Sequence, residues 1–135
     1  MSWRELEFRR VLFRSGGGVT LVNMAAKLDD SDAGAKIVKN ALKAPFTHIM
    51  ENAGLNAQAL LAEVEKAKDG MGVNVMEPEK GLVDLKKAGV IDPVKVTKEA
   101  VQNAVSIAAT AITMGALICE IPEEKPAAPD MGGMY

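Results

Sequence analysis

The chain of 135 residues predicts an all-α fold, a helical bundle with a short extended segment near 73–76 and a C-terminal strand near 117–121. Three observations carry this. Aromatic residues are 4% of the chain and apolar residues 48%, so the core is built from Ala, Val, Leu, Ile and Met, which suit close helix–helix packing better than a sheet sandwich. Apolar residues recur at helical spacing over 33–53 and again over 57–68. From Ala104 to Cys119 the chain is apolar almost all round, interrupted by Ser106, Thr110, Thr113 and Gly115, which predicts a central helix covered on several sides.

The elements follow in order. Gly16-Gly17-Gly18 is a glycine turn opening a short helix to Leu28, with Val19, Val22 and Ala26 on one face. Asp29-Asp30-Ser31-Asp32 breaks it, and Ser31 or Asp32 is placed to cap the next helix. That helix carries Ile37, Val38, Ala41, Leu42, Phe46, Ile49 and Met50 on its stripe; Pro45 inside it predicts a kink or a split, and Gly54 ends it. Asn56 caps a third helix to about Lys68. After the loop Asp69-Gly70-Met71-Gly72, Val73 to Met76 reads as extended, and Pro78 opens a helix stopped by Gly89. The last helix starts at Pro93, with Asp92 at its N-cap. Leu117-Ile118-Cys119-Glu120-Ile121 is expected to leave it as a strand with few local partners, and the Pro/Gly/Met-rich segment 122–135 to be a disordered tail.

Composition excludes several functions. A net charge of −2 gives no reason to expect nucleic acid or an anionic membrane as partner. The apolar run before Glu120 falls short of the roughly 20 residues that cross a bilayer. One cysteine, Cys119, rules out an internal disulfide, and with the single His48 makes a transition-metal site unexpected. His48 has no acid or serine placed to form a triad and reads as a boundary residue. Residues 1–15 differ from the rest. Arg4, Arg9, Arg10 and Arg14 against Glu5 and Glu7 make them +2, leaving −4 on residues 16–135. Leu12-Phe13-Arg14-Ser15 is the translation of a common sequencing-adapter end, so 1–15 is read as a non-native leader and set aside from the fold, with 16–121 as the native domain segment.

Chemistry has few places to reside. A glycine triplet opening a helix can bring backbone N–H groups close to an anion, or can simply serve a close helix contact. No Lys-Ser/Thr follows it, so it is not a Walker motif, and no strand–turn–helix with a later acid makes it a dinucleotide fingerprint. Asp92 is either a helix cap or a carboxylate that also binds something; as an acceptor-only group it suits paired hydroxyls.

Taken in order, Gly16-Gly17-Gly18-Val19, Lys43-Ala44-Pro45-Phe46-Thr47-His48-Ile49, Glu51-Asn52-Ala53-Gly54, Gly72-Val73-Asn74, Ile91-Asp92-Pro93-Val94-Lys95-Val96-Thr97 and Met131-Gly132-Gly133-Met134 resemble the C-terminal part of a group I chaperonin, the GroEL type. The resemblance implies the C-terminal half of an equatorial domain, from an ATP-dependent chaperone whose subunits form a ring that encloses non-native proteins. It places bound ATP against Gly17, the adenine near Asn74, Val75 and Met76, and the ribose at Asp92. The family more often has small residues after the Asn; here Val75 and Met76 are bulkier and an insertion follows at Glu77-Pro78-Glu79-Lys80, so Met76 either packs on the base or fills core. The Asp-Gly-Thr-Thr-Thr phosphate loop is not in the sequence, and neither is the aspartate that activates water, so the resemblance implies Mg and K ions for the full-length protein, no catalytic residue or metal ligand here, and no ATPase activity of this chain alone. The expected partners are like subunits, a co-chaperonin lid and unfolded clients, in the bacterial cytoplasm. The alternative is a free-standing helical interaction module without a nucleotide.

Overall fold

A computed structural model describes residues 13–29 and 31–120, and the structural statements that follow concern those residues. The order of elements is β1 (Phe13–Ser15), α1 (Val19–Ala25), α2 (Ala33–Ala41), α3 (Ala44–Asn52), α4 (Ala57–Lys66), β2 (Met71–Val73), β3 (Leu82–Asp84), β4 (Ile91–Pro93) and α5 (Val94–Ile112). The fold is mostly helical. Its strands form two antiparallel pairs: β1 with β4, matching Arg14 to Asp92, and β2 with β3, matching Gly72 to Val83.

Local chemistry sets the helix limits. The Asp32 carboxylate accepts the Ala35 N–H at 2.8 Å and starts α2. The Asn56 Oδ1 accepts the Ala59 N–H at 3.1 Å and starts α4. Pro45 lacks an N–H and lies in the first turn of α3, so the long apolar stripe is split in two as its sequence predicts. At the end of α3, Gly54 has φ 73°, its N–H donates to the Glu51 carbonyl at 2.9 Å, and the Leu55 N–H donates to the Met50 carbonyl at 2.9 Å. This Schellman motif satisfies two orphan carbonyls and turns the chain back into α4.

The core joins Val19 and Val22 of α1, Phe46 and Met50 of α3, Ala57 and Val64 of α4, Val73 of β2, and Leu85 after β3. Leu55, Leu60, Leu61, Leu82, Val83 and Val90 pack around it. By contrast, α2 buries no side chain.

Four expectations are corrected. The helix from Pro78 to Gly89 is instead a single 3-10 turn, Pro78–Lys80, followed by β3, because Gly81 takes a backbone conformation (φ 64°, ψ −142°) that ends helical growth. The extended segment expected at 73–76 is β2 at Met71–Val73, and Asn74 to Met76 turn away from the ladder. The last helix is not central. Only Val94, Thr97 and Val101 are half-buried, Val105 is 51% exposed and Ile112 83% exposed. Its apolar pattern records a need for burial, but no described element lies over its outer half. Residues 117–120 carry no regular structure, and Ile121 lies outside the described residues, as do 1–12 and the tail 122–135. Phe13–Ser15, set aside with the leader, form a strand, and Ser15 is buried.

Candidate functional site

The glycine turn and Asp92 are neighbours. The Gly16 N–H donates to the Val90 carbonyl at 2.9 Å, extending the β1–β4 pairing by one rung. A Cβ on Gly16 would lie 3.3 Å from the Asp92 Oδ1 and 3.2 Å from the Val90 Cγ1, so the carboxylate sits directly against the start of the triplet. Gly17 follows with φ 62°, a conformation that L side chains rarely adopt.

Asp92 is not the helix cap. β4 runs through Pro93, which occupies the N-cap position of α5 with extended backbone and no side-chain cap bond. The helix therefore starts one residue later than the Asp-Pro pattern predicts. Asp92 is exposed, and its side chain has no hydrogen-bond or ion-pair partner among the described residues. Its carboxylate remains available beside Gly16.

Asn74 is reached from the glycine turn through Leu85. The Leu85 Cδ1 lies 4.0 Å from a Cβ built on Gly17 and 2.8 Å from one built on Gly72. Two residues after Gly72, Asn74 leaves β2 and closes a turn. Its Oδ1 accepts the Met76 N–H at 3.1 Å, and its carbonyl accepts the Glu77 N–H at 3.0 Å. Its Nδ2 donates to the Glu77 Oε2 at 3.4 Å. The other Glu77 oxygen accepts from the Lys80 Nζ at 2.6 Å. That hydrogen bond, and then the charge of Glu77, hold the Lys80 ammonium above its ordinary pKa of 10.5. Val75 is exposed, and Met76 is 84% exposed, which removes the core-filling alternative for Met76.

A separate cavity of about 680 Å³ lies between α1, β1 and the first turns of α5, with Thr20, Met24, Asp84, Thr97 and Val101 among its walls. Gly17, Asn74 and Asp92 do not line it. Among the described residues, no group of three His, Cys, Asp or Glu is placed to hold a metal ion. No described helix is long and apolar enough to cross a membrane. His48 sits at the surface with its Nδ1 3.2 Å from the Glu51 Oε2.

Two residues in this region escaped the sequence reading. Glu77 lies in the insertion, and an Asn three residues before a Glu at a turn is a spacing at which the two side chains meet. Gly16 was grouped with its triplet, because its contact with Asp92 depends on a pairing between residues far apart in the chain.

The profile of the TCP-1/cpn60 chaperonin family matches residues 8–122. Among solved structures, the open-state monomer of a group II chaperonin from Methanococcoides burtonii superposes with a TM-score of 0.66 at 22% identity. That match covers 76% of this chain and 28% of the archaeal chain, so the present chain spans little more than a quarter of that subunit. At this identity the likeness is one of fold. The family match takes in most of the chain, its core and the Gly16–Asp92 contact, and on it the chain belongs to the TCP-1/cpn60 chaperonin family.

Proposed function

We propose that this chain forms one wall of an ATP pocket in a chaperonin of the group I type, together with part of the surface through which its subunits join in a ring. The observation that carries the nucleotide reading is the uncommitted Asp92 carboxylate against the Gly16-Gly17 turn. Two vicinal sugar hydroxyls need acceptors, and a carboxylate without an internal partner supplies them. Gly17 leaves room for the nucleotide to approach the backbone, and Asn74, Val75 and Met76 border the base. The group I assignment rests on the motif order and the Met131-Gly132-Gly133-Met134 end, since the archaeal likeness speaks to fold alone.

On this reading ATP hydrolysis, Mg and K binding, lid docking and client capture belong to other parts of a chaperonin subunit. Among the described residues no group of His, Cys, Asp or Glu fits a metal site, and no step is assigned to one. The exposed outer half of α5 supports the contact-forming part of the reading. The bacterial cytoplasm is the proposed setting.

The test is a subunit in which this chain replaces the corresponding part of a complete chaperonin. Asp92→Ala is expected to weaken ATP binding by about 1–3 kcal/mol, the range for losing a charge-assisted hydrogen bond. Unchanged affinity would remove Asp92 from the pocket. ATP turnover by the chain alone would overturn the division of labour.

A further inference from the structure

Helix α1 has apolar residues on more than one face. Val19, Val22 and Ala25 are buried, whereas Leu21 and Met24, three residues apart, line the cavity between α1, β1 and α5. Val94 and Val101 lie about two turns apart on one side of α5, half-buried on the same cavity. The enclosed space of about 680 Å³ falls within the range of roughly 300–1,000 Å³ typical of small-molecule sites.

One polar group in the wall is left unpaired. Ser15 is 3% exposed, and its carbonyl accepts the Thr20 hydroxyl at 2.7 Å. The Ser15 hydroxyl itself has no hydrogen-bond partner among the described residues. It is nonetheless not sealed away, because no described side-chain oxygen or nitrogen is both fully buried and unbonded. Ser15 lines the cavity, so the cavity is what its Oγ reaches. Gly70 keeps that opening, since a Cβ there would stand 3.1 Å from the Ser15 Oγ.

The charges on the wall do not balance. Asp69 is engaged by the Lys27 ammonium at 2.5 Å. The Asp84 Oδ1 accepts the Lys86 and Lys87 N–H groups at 3.1 and 3.3 Å. The cationic groups of Arg14, Lys86 and Lys98, also on the wall, have no partner among the described residues. Uncompensated positive charge around an apolar space concentrates anions. A bare inorganic anion would leave the apolar residues against water, and an uncharged hydrocarbon would leave the cations unanswered.

We infer that this cavity binds an organic anion with a long apolar body, of the long-chain carboxylate class. Its acid group accepts the Ser15 O–H within the field of the unpaired cations. Its hydrocarbon chain covers Leu21, Met24, Val94 and Val101. Gly17, Asn74 and Asp92 are not on this wall, so the site stands apart from the nucleotide reading.

The experiment is a nitrogen-15 NMR titration of the full chain with decanoate, kept below the concentration at which it forms micelles. Decanol and acetate serve as probes of the apolar chain alone and the charge alone. Decanoate is expected to shift the amides of Ser15, Thr20, Met24 and Val101, and to bind at least about tenfold more tightly than either probe. Ser15→Ala should weaken decanoate by about tenfold, the effect of one charge-assisted hydrogen bond, and leave decanol unchanged. Met24→Trp, at an exposed position on the wall, fills the space and should abolish these shifts in a chain that still folds. Val105→Glu combined with Ile112→Glu, outside the cavity, should leave decanoate binding nearly unchanged. Shifts confined to Val105–Ile112, or surviving in Met24→Trp, would put the ligand on exposed apolar surface and overturn the site. Decanol binding as tightly as decanoate would remove the recognition of charge, and acetate doing so would remove that of the chain; either result overturns the inference. Cavity amides that move on dilution of the ligand-free protein would mean that a second copy fills the space, which overturns it too.

Discussion

Gly18 rests on the backbone of Phe46. A Cβ on Gly18 would fall 2.7 Å from the Phe46 nitrogen and 2.8 Å from its Cα, closer than a non-bonded carbon tolerates, and the partner is main chain rather than a movable side chain. Gly18 also has φ 76°, which adds a conformational penalty to the steric one. The contact is what lets the first turn of α1 seat Val19 and Val22 on the buried ring of Phe46. Gly18→Ala is expected to destabilise the chain by at least about 2 kcal/mol, more than the left-handed backbone alone would cost. Urea denaturation measures it, and a loss of only a few tenths of a kcal/mol would mean that α1 and α3 can separate freely.

The two side-chain caps separate local from global stability. Asn56 starts α4, whose Ala57 and Val64 belong to the core. Asn56→Ala should cost about 1 kcal/mol in global unfolding, the typical value of a lost cap. Asp32 starts α2, which buries nothing. Asp32→Ala should therefore speed hydrogen exchange within α2 while leaving the global denaturation midpoint nearly unchanged. Equal global losses from both substitutions would show that α2 is bound into the cooperative unit.

Helix starts and stops were legible because their causes are local: Asp32, Pro45, Gly54 and Asn56 each act within four residues. The elements misread from sequence depend on distant partners. Leu82 to Asp84 pair with β2 rather than continue a helix from Pro78, because Gly81 blocks the helix and Met71 to Val73 offer a ladder. Asp92 looked like a cap from its neighbours, but pairing of β4 with Phe13–Ser15 carries the strand through Pro93 and moves the helix start to Val94. The proximity of the glycine turn to Asp92 was expected only through the family resemblance; nothing in the 75 residues between Gly16 and Asp92 encodes it locally. The all-round apolar character of α5 was legible, and its exposure was not, since hydropathy does not name the partner.

The Glu77–Lys80 pair predicts a pH dependence of the Asn74 turn. Glu77 raises the Lys80 pKa above 10.5, so the pairing is fully present below 10.5 and is lost as pH rises through the raised value in the folded chain. An NMR titration of the Lys80 side chain should give a midpoint above 10.5 in wild type and closer to 10.5 in Glu77→Gln. Amide exchange in the 74–80 turn should quicken over the same alkaline interval. A Lys80 midpoint that ignores the substitution would show that the 2.6 Å contact is not kept in solution.

The outer half of α5 should make the chain bind dyes that report exposed hydrophobic surface. Val105, Ile107 and Ile112 are exposed by 51%, 71% and 83%, and Leu117 and Ile118 beyond them by 76% and 95%. Val105 and Ile112 share one face of α5 and Ile107 lies on another, so exposed apolar side chains surround the outer half of the helix. The core that holds the fold, from Val19 to Leu85, does not include any of these residues. Val105→Glu combined with Ile112→Glu is thus expected to lower dye fluorescence and self-association severalfold, yet to change the unfolding free energy by less than about 0.5 kcal/mol, as for substitutions at an exposed surface. Val64→Glu, placing the same carboxylate in the buried cluster, should instead abolish cooperative unfolding. If the α5 double substitution unfolds the chain as Val64→Glu does, the helix is packed against the body in solution and its exposed face is closed. If dye binding persists undiminished in a folded double variant, the apolar surface that the dye reads lies elsewhere, and α5 loses its claim to be the contact face.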